Sequence, residues 1–194
     1  MKELFTETRK ALVVIFMFAV VCCGIYPMIV YGMGQAFFSH QANGSLIVDK
    51  EGVIRGSELI GQGFTGEKYF HSRPSAAGTG YDATSSGGSN FGPTSQKLHD
   101  AIRDRIELYR KENGLNENAP IPADAVTASA SGLDPHISIQ NAECQISRVA
   151  KARHLDENQV RMILQKNIDQ PGFPLFGNPG VNVLKVNRAL DSLL

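Results

Sequence analysis

The feature that most limits how this chain can fold is its apolar beginning. From Ala11 to Phe38 the sequence reads ALVVIFMFAVVCCGIYPMIVYGMGQAFF and contains no charged residue. A bilayer core about 30 Å thick needs roughly 20 apolar helical residues, and this run supplies them with several to spare. We therefore predict a transmembrane helix over residues 11–38, preceded by a short N-terminal tail over residues 1–10.

A cleaved signal peptide is the competing interpretation of the same run. The apolar region of a signal peptide usually measures about 7 to 15 residues and is followed by a cleavage site with small residues. The run in this chain is longer, and no clear site of that kind follows it. The sequence therefore favours a retained, single-pass anchor.

The flanking charges indicate how this anchor is oriented. Arg9 and Lys10 adjoin the start of the run, whereas Lys50 and Arg55 lie well beyond its end. Positive charge collects on the cytoplasmic side of membrane proteins, so the tail over residues 1–10 is predicted to be cytoplasmic. The rest of the chain, residues 45–194, is then predicted to form an extracytoplasmic domain.

Residues 45–194 carry alternating strand and helix signals and are numerous enough to form a single domain with its own core. The mixture predicts an α+β fold, in which glycine-rich segments form short strands and apolar residues at helical spacing mark the helices. The predicted elements are strands within 45–49, 52–64 and 181–186, and helices over 94–111, from Asp134 with Pro135 in its first turn, from Asp156 with Gln159 three residues later, and after Asn187.

A stretch from Ser72 to Ser95 interrupts these elements with glycine, serine and threonine and almost no apolar periodicity. Such a composition is typical of a flexible linker. Long loops in compact domains are also often binding elements, and Tyr81 and Phe91 are suited to fix this one to a surface. The sequence leaves both interpretations open, and we expect the loop to become ordered on docking.

The charge balance excludes one class of partner. The chain has 19 basic and 19 acidic residues and a formal net charge of zero. A surface that binds phosphate backbones normally shows a clear basic excess, so nucleic acid is not an expected partner.

The segment VTASASGLDPHIS, from Val126 to Ser138, brings together the side-chain types of a hydrolytic triad. A membrane-anchored periplasmic hydrolase using Ser129 or Ser131 is therefore an alternative function. Neither serine lies in a GxSxG turn, and triads are recognised by geometry rather than by composition. The simpler interpretation is a turn followed by a helix that Asp134 caps, whose free N–H groups are able to hold an anion or a partner's carboxylate.

Several blocks carry a resemblance to a known family. The apolar span is followed, in order, by GSELIGQGFTGEKYFHSRPSA (56–76), SSGGSNFGPTS (85–95), TASASGLDPHIS (127–138), QISRVAKAR (145–153) and GVNVLKVNRALD (180–191). Together they resemble the C subunit of the Kdp potassium-transporting ATPase over nearly the full chain.

The resemblance implies a subunit of a bacterial inner-membrane complex that takes up potassium at high affinity with ATP hydrolysis. The implied partners are a channel-like subunit that binds potassium, a P-type subunit that hydrolyses ATP and a small single-span subunit, besides membrane lipid. The C subunit is not the catalytic one. It is described both as an aid to assembly and as a catalytic chaperone that raises the ATP affinity of the ATPase subunit.

The resemblance implies no intrinsic cofactor and brings ATP to this chain only through the complex. If a nucleotide or a partner contacts it, our candidate residues are Asp134 and His136 at the predicted helix start, with Gln145 and Arg148 one to three turns later. The other explanation for these four residues is capping and surface solvation. No metal site is expected, because the histidines are scattered and no metal-ligand motif is present.

Overall fold

The structure of the chain is a computed structural model that describes residues 1–172 and 177–193. It divides into two compact units, Met1–Leu46 and Ile47–Leu194. The first unit contains the apolar segment, and the second is a mixed domain of helices and two small sheets. The predicted fold, one N-terminal apolar helix followed by an α+β domain, is confirmed.

One long helix dominates the first unit. It runs through α1 (Lys2–Ala19), a π-helical turn (Val20–Ile25) and α2 (Tyr26–Phe37). Its 36 residues are long and apolar enough to cross a membrane, and none of its most apolar part is buried. At about 1.5 Å per residue it measures about 54 Å, more than the thickness of a bilayer core. Most of the predicted tail is thus helical, and its cytoplasmic location remains a prediction.

The π-helical turn has a local cause in Pro27. Proline lacks the N–H that would bond to the carbonyl four residues earlier, and its ring crowds that carbonyl. The wider turn over Val20–Ile25 ends two residues before Pro27, where it accommodates this disturbance without ending the helix. After Phe38 a short helix, α3 (Ser39–Ala42), follows within the same unit.

The second unit contains both short strands and helices, as the sequence predicts. Its remaining elements in chain order are β1 (Leu46–Val48), β2 (Ile54–Ser57), α4 (Gln96–Asn113), α5 (Ala123–Val126), β3 (His136–Ser138), α6 (Ile139–Arg153), α7 (Glu157–Lys166), β4 (Ile168–Asp169), β5 (Gly180–Asn182) and α8 (Val183–Asp191). Strands β1 and β2 form a hairpin, and the second sheet has the order β3-β5-β4. Both pairings of β5 are antiparallel, with Ile137 and Ile168 on either side of Val181.

The core of the domain lies between this second sheet and helices α6, α7 and α8. The apolar side of α6 faces this core, because Ala142, Ile146, Val149 and Ala150 are buried and Ile139 packs against them. Phe70 joins the same core from the segment before the long loop, although no regular element carries it. Burial of these side chains is the main favourable contribution to the fold.

Two helix ends agree with the sequence prediction. Helix α4, predicted over residues 94–111, ends at Asn113 and is followed by Gly114, which adopts a left-handed conformation at φ 63° that suits glycine. Helix α7 begins with a capping box between Asp156 and Gln159.

The helix predicted from Asp134 starts later than expected. Asp134 does not cap a helix; its Oδ1 accepts a hydrogen bond from the His136 N–H, and the next residues form β3. Helix α6 begins only at Ile139, where Ser138 is the cap. Pairing with β5 therefore overrides the local helix-start signal.

The last helix also begins earlier than predicted. The segment 181–186 alternates like a strand, but Val183, Val186 and Leu190 also fit helical spacing, and the structure has a helix from Val183 onward. The side chain of Asn182 accepts a hydrogen bond from the Lys185 N–H and caps it. Asn187, the predicted cap, lies inside the helix instead.

The stretch Ser72–Ser95 has no regular secondary structure, but it contacts the domain closely. Ser75 Oγ donates a hydrogen bond to the Gly132 carbonyl at 2.7 Å, and the Gly87 N–H donates to the Ser131 carbonyl at 2.9 Å. The half-buried Tyr81 donates to the Arg73 carbonyl. The stretch is part of the second unit and not a linker between units, and whether it orders only on docking remains a prediction.

Candidate functional site

The N-terminus of α6 already holds a carboxylate from the protein itself. Asp124, on α5, accepts hydrogen bonds from the Ser138 N–H at 2.8 Å, from Ser138 Oγ at 2.8 Å and from Asn141 Nδ2 at 3.0 Å. Ser138 Oγ in turn accepts from the Asn141 N–H. A helix N-terminus attracts negative charge because its first N–H groups are free. The sequence prediction put the helix start at Asp134 and left its N–H groups free to hold an anion. In the structure the helix starts four residues later, and the carboxylate of Asp124 occupies that position.

Asp134 and His136 lie before this helix, in a network of charged side chains. Asp134 Oδ2 accepts a hydrogen bond from Arg73 Nη1 at 2.8 Å, and Asp134 Oδ1 lies 4.0 Å from His136 Nδ1. His136 Nε2 lies 3.0 Å from Asp169 Oδ2 on β4. Lys185 on α8 joins the network, 3.3 Å from Asp169 and 2.9 Å from Glu58. The cluster ties β3, β4 and α8 together.

The contacts of this cluster set its protonation. Burial acts to raise the pKa of Asp169, but the hydrogen bond with His136 and the charge of Lys185 outweigh it and hold that pKa below its ordinary value. Burial likewise acts to lower the pKa of Lys185, and the bonds to Glu58 and Asp169 raise it overall. Both groups are therefore held in their charged forms. A cluster of matched charges that satisfy each other is suited to structure more than to proton transfer.

Gln145 lies in the interior, only 1% exposed, and uses both ends of its amide. Its Oε1 accepts from the His71 N–H at 2.7 Å and from Arg148 Nη2 at 2.8 Å. Its Nε2 donates to the His71 carbonyl at 3.2 Å and to Asn141 Oδ1 at 2.9 Å. An amide offers two donors and two acceptors, so the hydrogen-bonding capacity of Gln145 is fully used.

Arg148 is occupied in the same way. Its Nη1 donates to the carbonyls of Glu67 at 2.6 Å and Tyr69 at 2.9 Å, and its Nε donates to Asn113 Oδ1 at 3.0 Å. Burial lowers the pKa of Arg148 from its ordinary value, and nearby acidic groups, Glu112 first, oppose this. The guanidinium thus contacts backbone carbonyls and two amide oxygens rather than an anion.

Gln145 and Arg148 belong to a larger arrangement that holds the segment Glu67–His71. Asn187 on α8 accepts from the Phe70 N–H at 2.8 Å and donates to the Phe70 carbonyl at 2.9 Å. Arg153 donates to the Lys68 carbonyl at 2.6 Å. The segment begins in a turn and pairs with no strand of the described residues, so side chains of α6 and α8 provide hydrogen bonds that its backbone groups need.

The four predicted site residues do not form one site. Asp134 lies next to His136, and Gln145 contacts Arg148. Among the described residues, no hydrogen bond or ion pair joins the first pair to the second. The sequence prediction placed Asp134 and His136 at the start of one helix and Gln145 and Arg148 one to three turns later. In the structure His136 lies in β3, and α6 begins only at Ile139.

A cleft of about 290 Å³ borders the Gln145 network, and its wall includes Phe64, His71, Tyr109, Glu112 and Gln145. Burial, followed by the charge of Arg148, lowers the pKa of His71, so its neutral form is favoured. Burial also raises the pKa of Tyr109, whose hydroxyl donates to Asn141. The polar groups of this cleft are mostly bonded to one another. Among residues 1–172 and 177–193, no group of three or more His, Cys, Asp or Glu side chains is placed to hold a metal ion.

The geometry gives the hydrolase alternative no support. Ser129 is 4% exposed, and Ser131 Oγ accepts from the Leu133 N–H two residues later. The ring of the nearby His136 faces Asp169 and Asp134 instead of a serine. A serine nucleophile needs a base within hydrogen-bond reach, and within the described part of the chain neither serine bonds to a histidine.

Sequence reasoning missed Asp124 and Asn141, and it assigned Asn187 to a helix cap instead of its contact with Phe70. A signal for two of them was present: Asn141 adjoins the apolar stripe of α6, and Asn187 lies at helical spacing with Val183, Val186 and Leu190. A polar side chain on a buried helix face must find a hydrogen-bond partner inside the fold. Asp124 gave no comparable signal, because its role depends on the meeting of α5 with α6.

Comparison with known proteins identifies the family. The family model described as "KdpC: K+-transporting ATPase, c chain" matches residues 8–192. A protein from Nitratidesulfovibrio vulgaris, named potassium-transporting ATPase KdpC subunit, is 50% identical over 191 residues, covering 98% of this chain and 96% of its own. A protein of the same name from Mycobacterium bovis is 49% identical over 187 residues, covering 96% and 98%, and one from Caulobacter vibrioides is 48% identical over 189 residues, covering 97% and 94%. The chain therefore belongs to the KdpC family, the c chain of the potassium-transporting ATPase.

Proposed function

We propose that this chain is an accessory subunit that stabilises an ATP-driven, high-affinity potassium uptake complex in the bacterial inner membrane. Its helix crosses the membrane once, with a cytoplasmic N-terminus, and its domain lies in the periplasm. The observation that carries the proposal is a contrast within the chain. The membrane-length helix has no buried residue, while the polar candidate residues of the domain are bonded to one another or to their neighbours.

The proposal gives the chain a binding role rather than a chemical one. A helix that is apolar on all sides and uncovered is stable only against lipid or other helices. A domain whose candidate groups already satisfy one another offers a rigid surface. Its proposed partners are the channel-like potassium-binding subunit, the ATP-hydrolysing P-type subunit and the small single-span subunit of the same complex.

We include a role as a catalytic chaperone in an indirect form, in which the chain itself does not bind ATP. The chain raises the ATP affinity of the ATPase subunit by stabilising the arrangement of subunits that binds ATP, without an intrinsic cofactor. Support for the indirect form comes from the candidate contacts: Asp124 fills the N-terminus of α6, and the amide of Gln145 has no free donor or acceptor. A periplasmic domain would also be separated from cytoplasmic ATP by the membrane.

Deletion of the chain tests the assembly role. We expect purification of the complex in mild detergent to recover this chain together with the potassium-transporting ATPase subunits, and we expect its deletion to reduce assembly and potassium-stimulated ATP hydrolysis. Restoring the full chain from a plasmid is the control. A complex that assembles and hydrolyses ATP normally without the chain would contradict the proposal.

Nucleotide titration tests the indirect form of the chaperone role. We expect no binding of ATP to the purified full chain in detergent, and a weaker apparent ATP affinity of the complex when the chain is absent. Saturable ATP binding to the chain alone, abolished by Arg148→Gln in a variant that remains folded, would overturn the indirect form. It would leave the assembly role intact.

A further inference from the structure

The exposed apolar side chains of the domain are concentrated at its beginning. Within residues 46–60, which we name the apolar hairpin, six large apolar side chains are between 38% and 65% exposed: Leu46, Val48, Val53, Ile54, Leu59 and Ile60. Beyond residue 60, the exposed large apolar side chains of the described residues are single ones on separate segments: Phe91, Leu108, Met162 and Leu193. Isolated apolar residues are normal on a surface, whereas a cluster of them marks an interaction site.

The hairpin presents these side chains from a well-defined turn. The Asp49 N–H donates to the Val53 carbonyl at 3.0 Å, which closes the turn, and Asp49 Oδ1 accepts from the N–H groups of Glu51 and Val53. Alternation along a strand puts Leu46 and Val48 on one face. The closing bond sets Ile54 opposite Val48, so these three side chains share that face. The hairpin is held by its own hydrogen bonds while its apolar face remains uncovered.

The charges of the hairpin argue against the lipid surface as its occupant. Within residues 46–60 the acidic residues Asp49, Glu51 and Glu58 outnumber the basic residues Lys50 and Arg55, and Asp49 is paired with Arg55 at 2.6 Å. Segments that bind anionic membranes carry an excess of basic residues, and this one carries none. A two-stranded ribbon also has polar edges, which hydrocarbon cannot satisfy but another protein can.

The short segment between α3 and β1 limits which proteins are able to cover the hairpin. Helix α3 ends at Ala42, and only Asn43, Gly44 and Ser45 lie between it and β1. Three or four peptide units reach at most about 14 Å, so the covalent chain alone keeps the start of β1 within that distance of the end of α3. A protein that covers it must therefore present its surface at the membrane.

We infer that the apolar hairpin is the surface by which this subunit docks onto a membrane-embedded partner subunit of the same complex, through apolar contact with an external loop or strand of that partner. The inference rests on the proposed function, because it takes such a partner as given. It adds the location of the contact. It also explains why a cluster of apolar side chains is exposed next to a turn whose polar groups are paired.

The test compares two substitutions of exposed apolar residues in the assembled complex. Ile54 is 59% exposed on the hairpin, and Met162 is 55% exposed on α7. With the tagged full chain, we expect Ile54→Asn to reduce the partner subunits retained after detergent washing by at least about tenfold, as the loss of a central apolar contact does. Met162→Asn should retain them as the unaltered chain does, and Ile54→Leu should restore retention.

A stability control separates docking from folding. The thermal unfolding midpoint of the full chain in detergent should be the same, within about 2 °C, for the Ile54→Asn and Met162→Asn variants. Full retention of partners by Ile54→Asn, or equal loss with Met162→Asn, would overturn the inference. If the unaltered chain itself recovers no partner, the proposed function fails first, and the two failures are therefore distinguishable.

Fluorescence decides between a protein and lipid as the occupant. The chain contains no tryptophan, so Ile54→Trp introduces a single reporter. In nanodiscs that hold the chain alone, we expect brominated lipids to leave its emission unquenched. Strong quenching would mean that the hairpin rests in lipid and would overturn the inference.

Discussion

Two segments near the start of the domain, Glu67–His71 and the apolar hairpin, differ in what they contact. The backbone of Glu67–His71 makes hydrogen bonds with side chains of α6 and α8, and its Phe70 is fully buried. The apolar hairpin closes its own turn but leaves its apolar face exposed. The first segment is completed within the chain, and the second is left for a partner. This difference separates residues that maintain the fold from residues available for assembly.

The largest expected effect follows from breaking the support of Glu67–His71. Asn187→Ala leaves both the N–H and the carbonyl of buried Phe70 without partners, because Asn187 bonds to both. Unsatisfied buried groups each cost about 1–3 kcal/mol, so we expect a loss of about 3 kcal/mol in the free energy of unfolding. Urea unfolding of the full chain in detergent measures it. Asn158→Ala, at an exposed position of α7, is the control, and equal stability of the two variants would contradict the arrangement.

A smaller loss is expected at the start of α6. Asp124→Ala removes the carboxylate that accepts from Ser138 and Asn141, and we expect it to cost about 2 kcal/mol, since it removes a cap and several hydrogen bonds. Asp104→Ala, on the exposed face of α4, serves as the matched control in the same unfolding experiment. If Asp124 fills an anion position, added phosphate should stabilise the Asp124→Ala variant more than the unaltered chain. Equal stability of both variants would remove Asp124 from this role.

The pH dependence of stability tests the environment of His71. Its pKa is lowered in the folded chain by burial and by Arg148, so the unfolded chain takes up a proton first as pH falls. Stability should therefore decline as pH is lowered through the ordinary histidine value of 6.5. His71→Gln should reduce this decline, and His99→Gln, at an exposed position of α4, should leave it unchanged. Denaturation curves between pH 7.5 and 5.5 check this, and an unaltered decline in the His71→Gln variant would refute it.

The smallest effect on stability is expected in the hairpin. Ile54→Ala changes an exposed side chain with no described partner in the core, so the free energy of unfolding should change by less than about 0.5 kcal/mol. The same unfolding measurement applies. A loss above about 2 kcal/mol, as core positions show, would mean that Ile54 supports the fold and would remove the contrast with Glu67–His71.

Local sequence signals predicted some elements better than others. The membrane-length helix, α4 with its glycine stop and α7 with its capping box were predictable, since each depends on residues close together in the chain. The start of α6 was not. Asp134 and Pro135 have the residue types of a helix start. The residues that follow them form β3, which pairs with residues of β5 that lie 42 or more positions later in the chain.

The candidate site was predicted only in part for the same reason. Gln145 and Arg148 were recognised as polar residues of interest and do contact each other. Three of their bonding partners, Glu67, Tyr69 and His71, precede them by more than 70 residues, so no local pattern could show that these hydrogen bonds were already used. The resemblance to the family came from long blocks in order, and this global signal succeeded where the local motif suggested a hydrolase.

Protease access to intact cells most directly tests the central claim, that the domain lies outside the membrane and serves assembly. Protease added to spheroplasts that express the full chain with an N-terminal tag should remove the domain and leave a tagged fragment containing the helix. A cytoplasmic protein that remains intact confirms that the membrane is sealed. Protection of the domain in spheroplasts, with cleavage only in inverted vesicles, would contradict the account and return the domain to the side where ATP is found.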